Sequence, residues 1–173
     1  YQGACRFAVE ISAPSQSLEC PSGWMVYVNT VYGFMICYPP GWTLNEDTGA
    51  DTGAEGQAPR ALTLNRDTLR LHIQYKRPEE KAILGPGGRG AGEIVDHGQV
   101  IALGLALPKH ALIYEDKVKS VFSSVQLPDL ELYVQLDDDP GAGVDYATSD
   151  LSEEVQAEVD EILTTLTRTS PAP

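Results

Sequence analysis

This sequence of 173 residues has few of the features that mark membrane and nucleic-acid-binding proteins. A membrane-spanning helix needs an apolar run of about 18 to 20 residues, and no run in this sequence approaches that length. The sequence therefore predicts no membrane-spanning helix. The opening YQGACRF has neither the charged start nor the apolar stretch of a signal peptide, and for an exported protein we expect a targeting segment already removed. Basic residues are scarce, 12 against 25 acidic ones. The net charge of -13 disfavours binding to nucleic acid, whose phosphates need a basic surface.

Catalytic motifs are missing as well. The three histidines, His72, His97 and His110, are not spaced as metal ligands, and no G-x-S-x-G nucleophile elbow occurs. Residues 85–90 match G-x-G-x-x-G, but they do not lead from an apolar strand into an amphipathic helix. Pro86 also removes a backbone donor, so these residues are interpreted as a loop. The sequence predicts a protein that is not an enzyme.

Two acidic loops are the candidates for binding a cation. They are residues 47–55 and the run Asp137, Asp138 and Asp139 followed by Asp145. Neither carries the EF-hand pattern with its final Glu, so both are interpreted as solvated loops, with a weak calcium site as the alternative. No other metal or cofactor is predicted.

The three cysteines, at positions 5, 20 and 37, indicate the compartment more than any chemistry. They form no C-x-x-C pair, which disfavours a zinc ribbon or a thioredoxin-like motif. In an oxidising compartment they predict one disulfide and one single cysteine. Cys20–Cys37, which would tie the segment before a hairpin to the second strand of that hairpin, is slightly preferred over Cys5–Cys20. Reduced thiols in a cytosolic protein are the alternative.

Strand patterns dominate the chain from position 24. WMVYVNT and GFMICYP flank VYG, which predicts a hairpin with its turn at Gly33. Apolar residues on both faces of the second strand predict that it is central or covered, and Pro39 and Pro40 end it. Farther along, LRLHIQYK alternates apolar residues with the polar residues Arg70, His72, Gln74 and Lys76, whose side we expect to be partly wet.

Five more strands are predicted, in GEIVDHG, QVIALGLALP, HALIYED, KVKSVFSSV and LELYVQL. RPEEKAIL predicts a short helix that begins at Pro78. DLSEEVQAEVDEILTTLTRT predicts an amphipathic helix capped at Asp150, with an apolar stripe that packs across the sheet. The fold class is therefore α+β, a mostly antiparallel sheet flanked by helices.

Charge is unevenly distributed along the chain. Seven of the 12 basic residues lie between positions 60 and 89, and 12 of the 25 acidic residues lie between 129 and 161, where no Lys or Arg occurs. The acidic part is interpreted as a solubilising face, or as a docking surface for a basic partner or for cations. The candidate partner surface consists of Arg70, His72, Lys76, Asp137, Asp138 and Asp139.

Residues 27–42 read Y-V-N-T-x-Y-G-F-x-I-x-Y-P-x-G-W, which resembles the entry hairpin of the Mog1/PsbP-like superfamily. The resemblance extends over about 24–168 through the order of the predicted elements. It implies a sheet flanked by helices and a role in binding or assembly, because the superfamily includes photosystem II extrinsic subunits, a Ran-binding protein and bacterial lipoproteins. No partner or metal residue carries over. Tyr32, Phe34, Tyr38 and Trp42 are interpreted as packing residues of the hairpin.

Bacterial envelope proteins are the members that this chain resembles most. We expect a spacer at 1–23, one domain at 24–168 and a tail at 169–173, outside the cytoplasm and either membrane-associated or secreted. Cys5, after Gly3 and Ala4, resembles a lipid-attachment cysteine, although Gln2 stands where such sites have an aliphatic residue. A free thiol at Cys5, or an anchor upstream of this chain, is the alternative.

The predicted function is a non-catalytic binding or assembly module that docks an envelope protein, or another copy of itself, through complementary charge. One alternative is a small-ligand carrier with a pocket between the sheet and the C-terminal helix. The other is a cation-dependent hydrolase that combines His97 or His110 with Asp137 or Asp139.

Overall fold

The computed structural model of the protein describes residues 19–47, 60–86, 92–138 and 149–169. Cys5, Asp139, Asp145 and most of the loop 47–55 lie outside these residues. The strands are β1 Met25–Asn29, β2 Phe34–Tyr38, β3 Thr43–Asp47, β4 Arg60–Arg66, β5 Leu69–Lys76, β6 Glu93–Ala102, β7 Leu105–Tyr114, β8 Lys117–Gln126, β9 Glu131–Asp138 and β10 Thr167–Arg168, and the helix α1, Glu153–Thr164, precedes β10.

The strands form two antiparallel sheets. The large sheet has the order β3-β4-β5-β9-β8-β7-β6, and the small sheet has the order β1-β2-β10. Helix α1 and the small sheet cover one face of the large sheet, which we call the inner face, and the opposite face is the outer face. Alternate residues of β4, β5, β9 and β8 turn towards the inner face, where they form the core with the apolar side of α1.

An aromatic seam joins the two sheets at Tyr75 of β5. The Tyr75 ring packs edge-on against Phe34, with 5.1 Å between ring centroids, and against Tyr32, at 4.9 Å. Asn29 Nδ2 donates to the Tyr75 hydroxyl at 3.2 Å, and that hydroxyl donates to Glu46 at 3.3 Å. Burial, with the nearby Tyr27 and Glu46, raises the pKa of Tyr75 far above its ordinary value, so the phenol stays a donor.

The hairpin predicted around Gly33 is confirmed. Asn29 pairs with Phe34, and Gly33, at φ 67°, donates its backbone N–H to the Asn29 carbonyl at 2.9 Å. A left-handed φ suits glycine because a side chain would be strained there. β2 lies between β1 and β10 and is therefore the central strand of the small sheet, and its residues are buried on both faces from Phe34 to Cys37. Cys20 and Cys37 form a disulfide, as preferred from the sequence, with 5.6 Å between their Cα atoms.

The helix predicted in RPEEKAIL does not form. Glu80 donates its N–H to the Arg77 carbonyl at 3.0 Å, which closes a single turn. Its carboxylate then accepts from the Arg77 N–H at 2.7 Å and from the Tyr32 hydroxyl at 2.8 Å, so the chain is held in a turn instead of continuing as a helix. Helices flanking the sheet are thus scarce, and α1 is the helix of the described residues.

Two other boundaries also differ from the sequence prediction. β6 continues through Gly98 as a bulged strand, and the hairpin turn falls at Leu103 and Gly104, both with positive φ. Positive φ at both central residues is the geometry of a tight two-residue hairpin, and it sets the end of β6. Helix α1 is capped by Ser152, whose side chain accepts from Val155 N–H, whereas Asp150 accepts from Val118 N–H at 3.0 Å.

Glu158 fastens α1 to the large sheet. Its Oε1 accepts from Arg66 Nη1 at 2.5 Å and from Trp42 Nε1 at 3.0 Å, and the Arg66 guanidinium lies over the Trp42 ring at 4.8 Å. Partial burial would raise the pKa of Glu158, but these two hydrogen bonds and the Arg66 charge outweigh it and lower the pKa below 4.5.

Replacing Glu158 by glutamine should reduce the unfolding free energy at neutral pH by about 1 to 3 kcal/mol, the usual worth of hydrogen bonds to a charged group. Because the folded pKa is lowered, the difference from wild type should shrink as the pH falls below 4.5. Urea unfolding between neutral and acidic pH measures this. Glu161→Gln, on the exposed side of the same helix, is the control, and an equal loss in both variants would contradict the role of Glu158.

Cys20→Ala should lower the unfolding free energy by about 3 kcal/mol, because the disulfide closes a loop with a sequence separation of 17 residues. Reducing agent should bring the wild type to the same stability, as measured by denaturant unfolding. Cys5→Ser serves as the control and should leave both the stability and the response to reducing agent unchanged. A wild type that is indifferent to reduction would show that the disulfide does not form in solution.

Candidate functional site

A row of side chains crosses the whole outer face of the large sheet, one from each strand. The strand registers place them side by side. From β3 to β6 the row is Asn45, Thr63, His72, Gln135, Phe122, His110 and Asp96. The middle of the row is a polar and aromatic surface. A face that packs against a second core would be apolar, and a fully solvated face would carry mostly charged residues.

His72, in the middle of this row, is held as a neutral ring. Gln74 Oε1 accepts from the Gly85 N–H at 2.8 Å, which turns Gln74 Nε2 towards His72 Nε2 at 3.4 Å. Nε2 of His72 is then the acceptor, and Nδ1–H donates to Thr63 Oγ1 at 2.9 Å. Burial and then the positive charge of Arg70 lower the pKa of His72 below 6.5, which agrees with the neutral tautomer.

A second chain of hydrogen bonds runs along β9. Tyr133 donates its hydroxyl to Gln135 Oε1 at 2.9 Å, and Gln135 Nε2 donates to both oxygens of Asp137, at 2.8 and 3.0 Å. Arg70, opposite Asp137 on β5, approaches it to 3.6 Å. These contacts fix the side chains before any ligand binds, so the surface is preorganised.

A groove of about 790 Å³ lies on this face between strands β8 and β9 and the segment 80–86. Phe122 and Tyr133 lie in its lining with their rings stacked at 6.2 Å, and Ser124 adds a hydroxyl. Lys81 and Ile83 line the opposite side, and the Ile83 side chain is 86% exposed. Aromatic rings beside polar groups and an exposed apolar side chain are typical of a binding surface.

The wall of the groove is anchored at both ends. At its start, the Glu80 carboxylate accepts from Tyr32, and the Glu80 carbonyl accepts from Lys76 Nζ at 3.1 Å. At its end, Gly85 donates to Gln74. Burial and the hydrogen bond to Glu80 raise the pKa of Tyr32 to about 12, so this donor stays protonated at neutral pH. The wall therefore belongs to the fold, and the groove does not depend on a ligand to form.

The candidate partner surface from the sequence is brought together in part. Arg70, His72, Lys76 and Asp137 share the outer face, because Arg70 pairs with Asp137 and Lys76 with Glu131 across β5 and β9. Asp138 pairs with Leu69, one position along, and therefore points to the other face, where its Oδ1 is buried and, within the described residues, has no hydrogen-bond partner.

Phe122, Tyr133 and Ile83 line the groove and were not among the candidates from the sequence. The alternation of residues along β8 and β9 shows which residues of each strand share a side with Phe122 or with Tyr133. It cannot show that β8 and β9 are neighbours in the sheet, or that Phe122 and Tyr133 lie on the same face of it. For Ile83 the local pattern was misleading, because RPEEKAIL predicts a short helix and the segment does not form one.

The two alternative functions find little support in the described residues. Between α1 and the large sheet the cavity measures about 20 Å³, room for about one water molecule and not for a carried ligand. His97 Nε2 is hydrogen-bonded to Gln156 Oε1 at 2.7 Å, and the His110 ring lies tilted against the Phe122 ring, with 5.6 Å between ring centroids. Across the described ranges, no three His, Cys, Asp or Glu side chains form a group that could hold a metal ion.

The arrangement defines an α+β protein of two antiparallel sheets with a preorganised polar and aromatic outer face. No family model and no curated protein matches the sequence. Its fold is similar to the solution structure of cyanobacterial PsbP (CyanoP) from Synechocystis sp. PCC 6803, with a TM-score of 0.52 and 13% identity. The match covers 87% of this chain and 97% of that chain. The PsbP-like fold implied by the hairpin motif is therefore confirmed, and at this identity the similarity extends to the fold alone.

We expect the protonation midpoint of His72 to lie below 6.5, because burial and Arg70 both oppose the charged ring. Side-chain NMR titration measures it. Arg70→Gln should move the midpoint upwards, and Lys81→Gln, on the groove wall, should not. Since the folded pKa is lowered, the unfolded chain binds more protons just below pH 6.5, and His72 makes the fold less stable as the pH falls through that window. A midpoint at or above 6.5 would contradict the neutral assignment.

Proposed function

We propose that the protein is a non-catalytic binding or assembly module outside the cytoplasm that docks a basic protein partner. The supporting observation is how its charges are arranged. Several basic side chains form ion pairs with acidic residues of the same chain, and the net charge of the chain is -13. The ion pairs of the described residues include Arg66–Glu158, Arg70–Asp137, Lys76–Glu131, Lys109–Asp160 and Arg168–Asp129.

This pairing changes how a partner would be recognised. The basic part of the chain, 60–89, is neutralised in part, because Arg66, Arg70 and Lys76 bind acidic residues from the later acidic part. The charge that these pairs leave unbalanced is negative. Helix α1 carries Glu153 and Glu154 in its first turn and has no basic residue in its last turn. Electrostatic steering of this kind favours a basic partner and weakens as salt is added.

The groove provides the specific contact in this proposal. The charges of its lining balance, since Lys76 and Lys81 face Glu80 and Glu131, and Lys76 is paired with Glu131 at 3.2 Å. A neutral groove with stacked aromatic rings suits an extended uncharged segment of the partner, and the long-range charge brings the two proteins together.

The compartment is supported by two observations. The Cys20–Cys37 disulfide is of the kind that persists in oxidising compartments. The fold is similar to that of cyanobacterial PsbP. Within the described part of the chain, no helix has the length and apolarity to cross a bilayer. Lipid attachment at Cys5 and a calcium ion at the acidic loops stay predictions from the sequence.

The test is a pull-down from the native envelope fraction at low salt and at about 0.5 M salt, with mass spectrometry of the bound proteins. We expect a basic protein that is recovered at low salt and lost at high salt. Ser124→Arg fills the groove with a long side chain and should abolish recovery. Gln99→Arg, an exposed position on β6 of the same face, adds the same charge outside the groove and is the matched control.

Two outcomes would contradict the proposal. Recovery that is unaffected by salt would exclude steering by charge. Equal recovery with Ser124→Arg and with wild type would exclude the groove as the contact. Circular dichroism of both variants separates a lost contact from a lost fold.

A further inference from the structure

Strand β10 brings the chain back to the end of the large sheet where the groove begins. Lys76, Glu131 and Gln126 form the last pairs of β5, β9 and β8 at this end, and all three line the groove. The Thr169 N–H donates to the carbonyl of Gly33 at 2.9 Å, next to the residue whose hydroxyl holds Glu80 at the start of the groove wall. The residues that follow Thr169 therefore start beside the groove.

Arg168 fixes this position from two sides. Its Nη1 donates to the Tyr32 carbonyl at 3.1 Å, and its Nη2 is paired with the Asp129 carboxylate. Asp129 lies in the turn between β8 and β9, between Gln126 and Glu131 of the groove lining. The guanidinium thus joins the small sheet to the two strands that form the floor of the groove, and it sets the point from which residue 170 continues.

The segment 170–173 is long enough to reach the aromatic rings of the groove. Four residues in an extended conformation span at most about 13 to 14 Å. Along β9, the floor from Glu131 to Tyr133 is two residues long, or about 7 Å. The Phe122 ring is stacked on the Tyr133 ring, with 6.2 Å between centroids. A chain that turns into the groove at residue 170 can therefore place a proline on these rings.

The composition of this segment fits the groove. Ser-Pro-Ala-Pro has no charged residue, and the charges of the groove lining balance. Aromatic-lined grooves take extended proline-containing segments, and the fixed φ of proline reduces the entropy that such a segment loses on binding. Proline also lacks an N–H, so the segment presents mainly carbonyl acceptors. Ser124 and Gln126 of the lining carry donors that can bind them.

We propose that the segment 170–173 occupies the groove of its own chain when no partner is bound. The covalent link selects this occupant. A four-residue segment binds weakly by itself, with a dissociation constant on the order of millimolar, but a short tether holds it at an effective concentration that is also on the order of millimolar. The segment then covers the groove in about half of the molecules.

An incoming segment of a partner has to displace this occupant. The segment 170–173 therefore lowers the apparent affinity of the groove by about twofold, because only the uncovered molecules are competent to bind. This regulatory role rests on the proposed function. The occupancy of the groove does not, since it requires only the chain itself.

The test is NMR of the full chain, in which the proton signals of Pro171 and Pro173 are compared with the same signals in denaturant. We expect upfield shifts caused by the rings of Phe122 and Tyr133, with nuclear Overhauser contacts to Tyr133, at every protein concentration. Ser124→Arg fills the groove and should return the proline signals to their denatured positions. Gln99→Arg, outside the groove, is the matched control and should leave them shifted.

A second measurement uses the peptide Thr-Ser-Pro-Ala-Pro as the probe. It should shift the signals of Ser124 and Tyr133 in a chain that ends at Thr169, with a dissociation constant on the order of millimolar. In the full chain the apparent dissociation constant should be about twofold higher, because the segment 170–173 competes with the peptide.

Proline signals at their denatured positions in the wild type overturn the proposal, even if a variant fails to fold. Shifts that grow with protein concentration also overturn it, because the groove would then hold the segment of another copy. Equal affinity of both chains for the peptide contradicts the competition. Neither measurement includes a partner protein, so their failure leaves the proposed docking intact, and a pull-down that recovers nothing leaves the occupancy intact.

Discussion

The structure depends on the burial of Tyr75 between its two sheets. The small sheet buries too little by itself to be stable, since its strands β1 and β2 have five residues each and β10 has two. The rings of Phe34 and Tyr32 against Tyr75 dock it on the inner face of the large sheet. Burial would leave the Tyr75 hydroxyl without water, but it accepts a hydrogen bond from Asn29 and donates one to Glu46.

The same seam supports the candidate groove. Tyr32 packs on Tyr75 with its ring, and its hydroxyl holds Glu80, at the start of the groove wall. The guanidinium of Arg77 lies over the Tyr32 ring at 5.4 Å. The groove wall is therefore positioned by a residue of the small sheet, and a change that loosens the seam should also move the wall. A site supported in this way is more precise than one on an isolated loop.

The sequence predicts the elements of this fold better than their neighbours in space. Local patterns were sufficient for the hairpin at Gly33 and for the apolar stripe of α1, because 3.6- and 2-residue periods report which side of an element is buried. They failed where one side chain decides the local structure. Glu80 closes a turn by binding Tyr32, which is 48 residues away in the chain, and no pattern within RPEEKAIL contains that information.

The distribution of charge shows the same limit of prediction from the sequence. Along the chain the basic part 60–89 and the acidic part 129–161 are separate, and the sequence does not show which of their residues meet. β5 and β9 are neighbours in the sheet, so Arg70 meets Asp137 and Lys76 meets Glu131. A sequence does not specify that pair of neighbours, because β6, β7 and β8 intervene. The candidate surface was therefore predicted as a set of residues from β5 and from the later acidic run, and its groove was not predicted.

The groove and β1, the edge strand of the small sheet, have a common support. Arg77 contacts both, since it donates to the Val31 carbonyl at the end of the β1 turn and its own N–H binds Glu80 at the groove wall. One surface is a preorganised polar and aromatic groove on a strongly acidic molecule. The other is a strand without charged residues, whose neighbours Glu46 and Arg77 are exposed. Because one residue contacts both surfaces, a change in the turn at Arg77 should reach both of them.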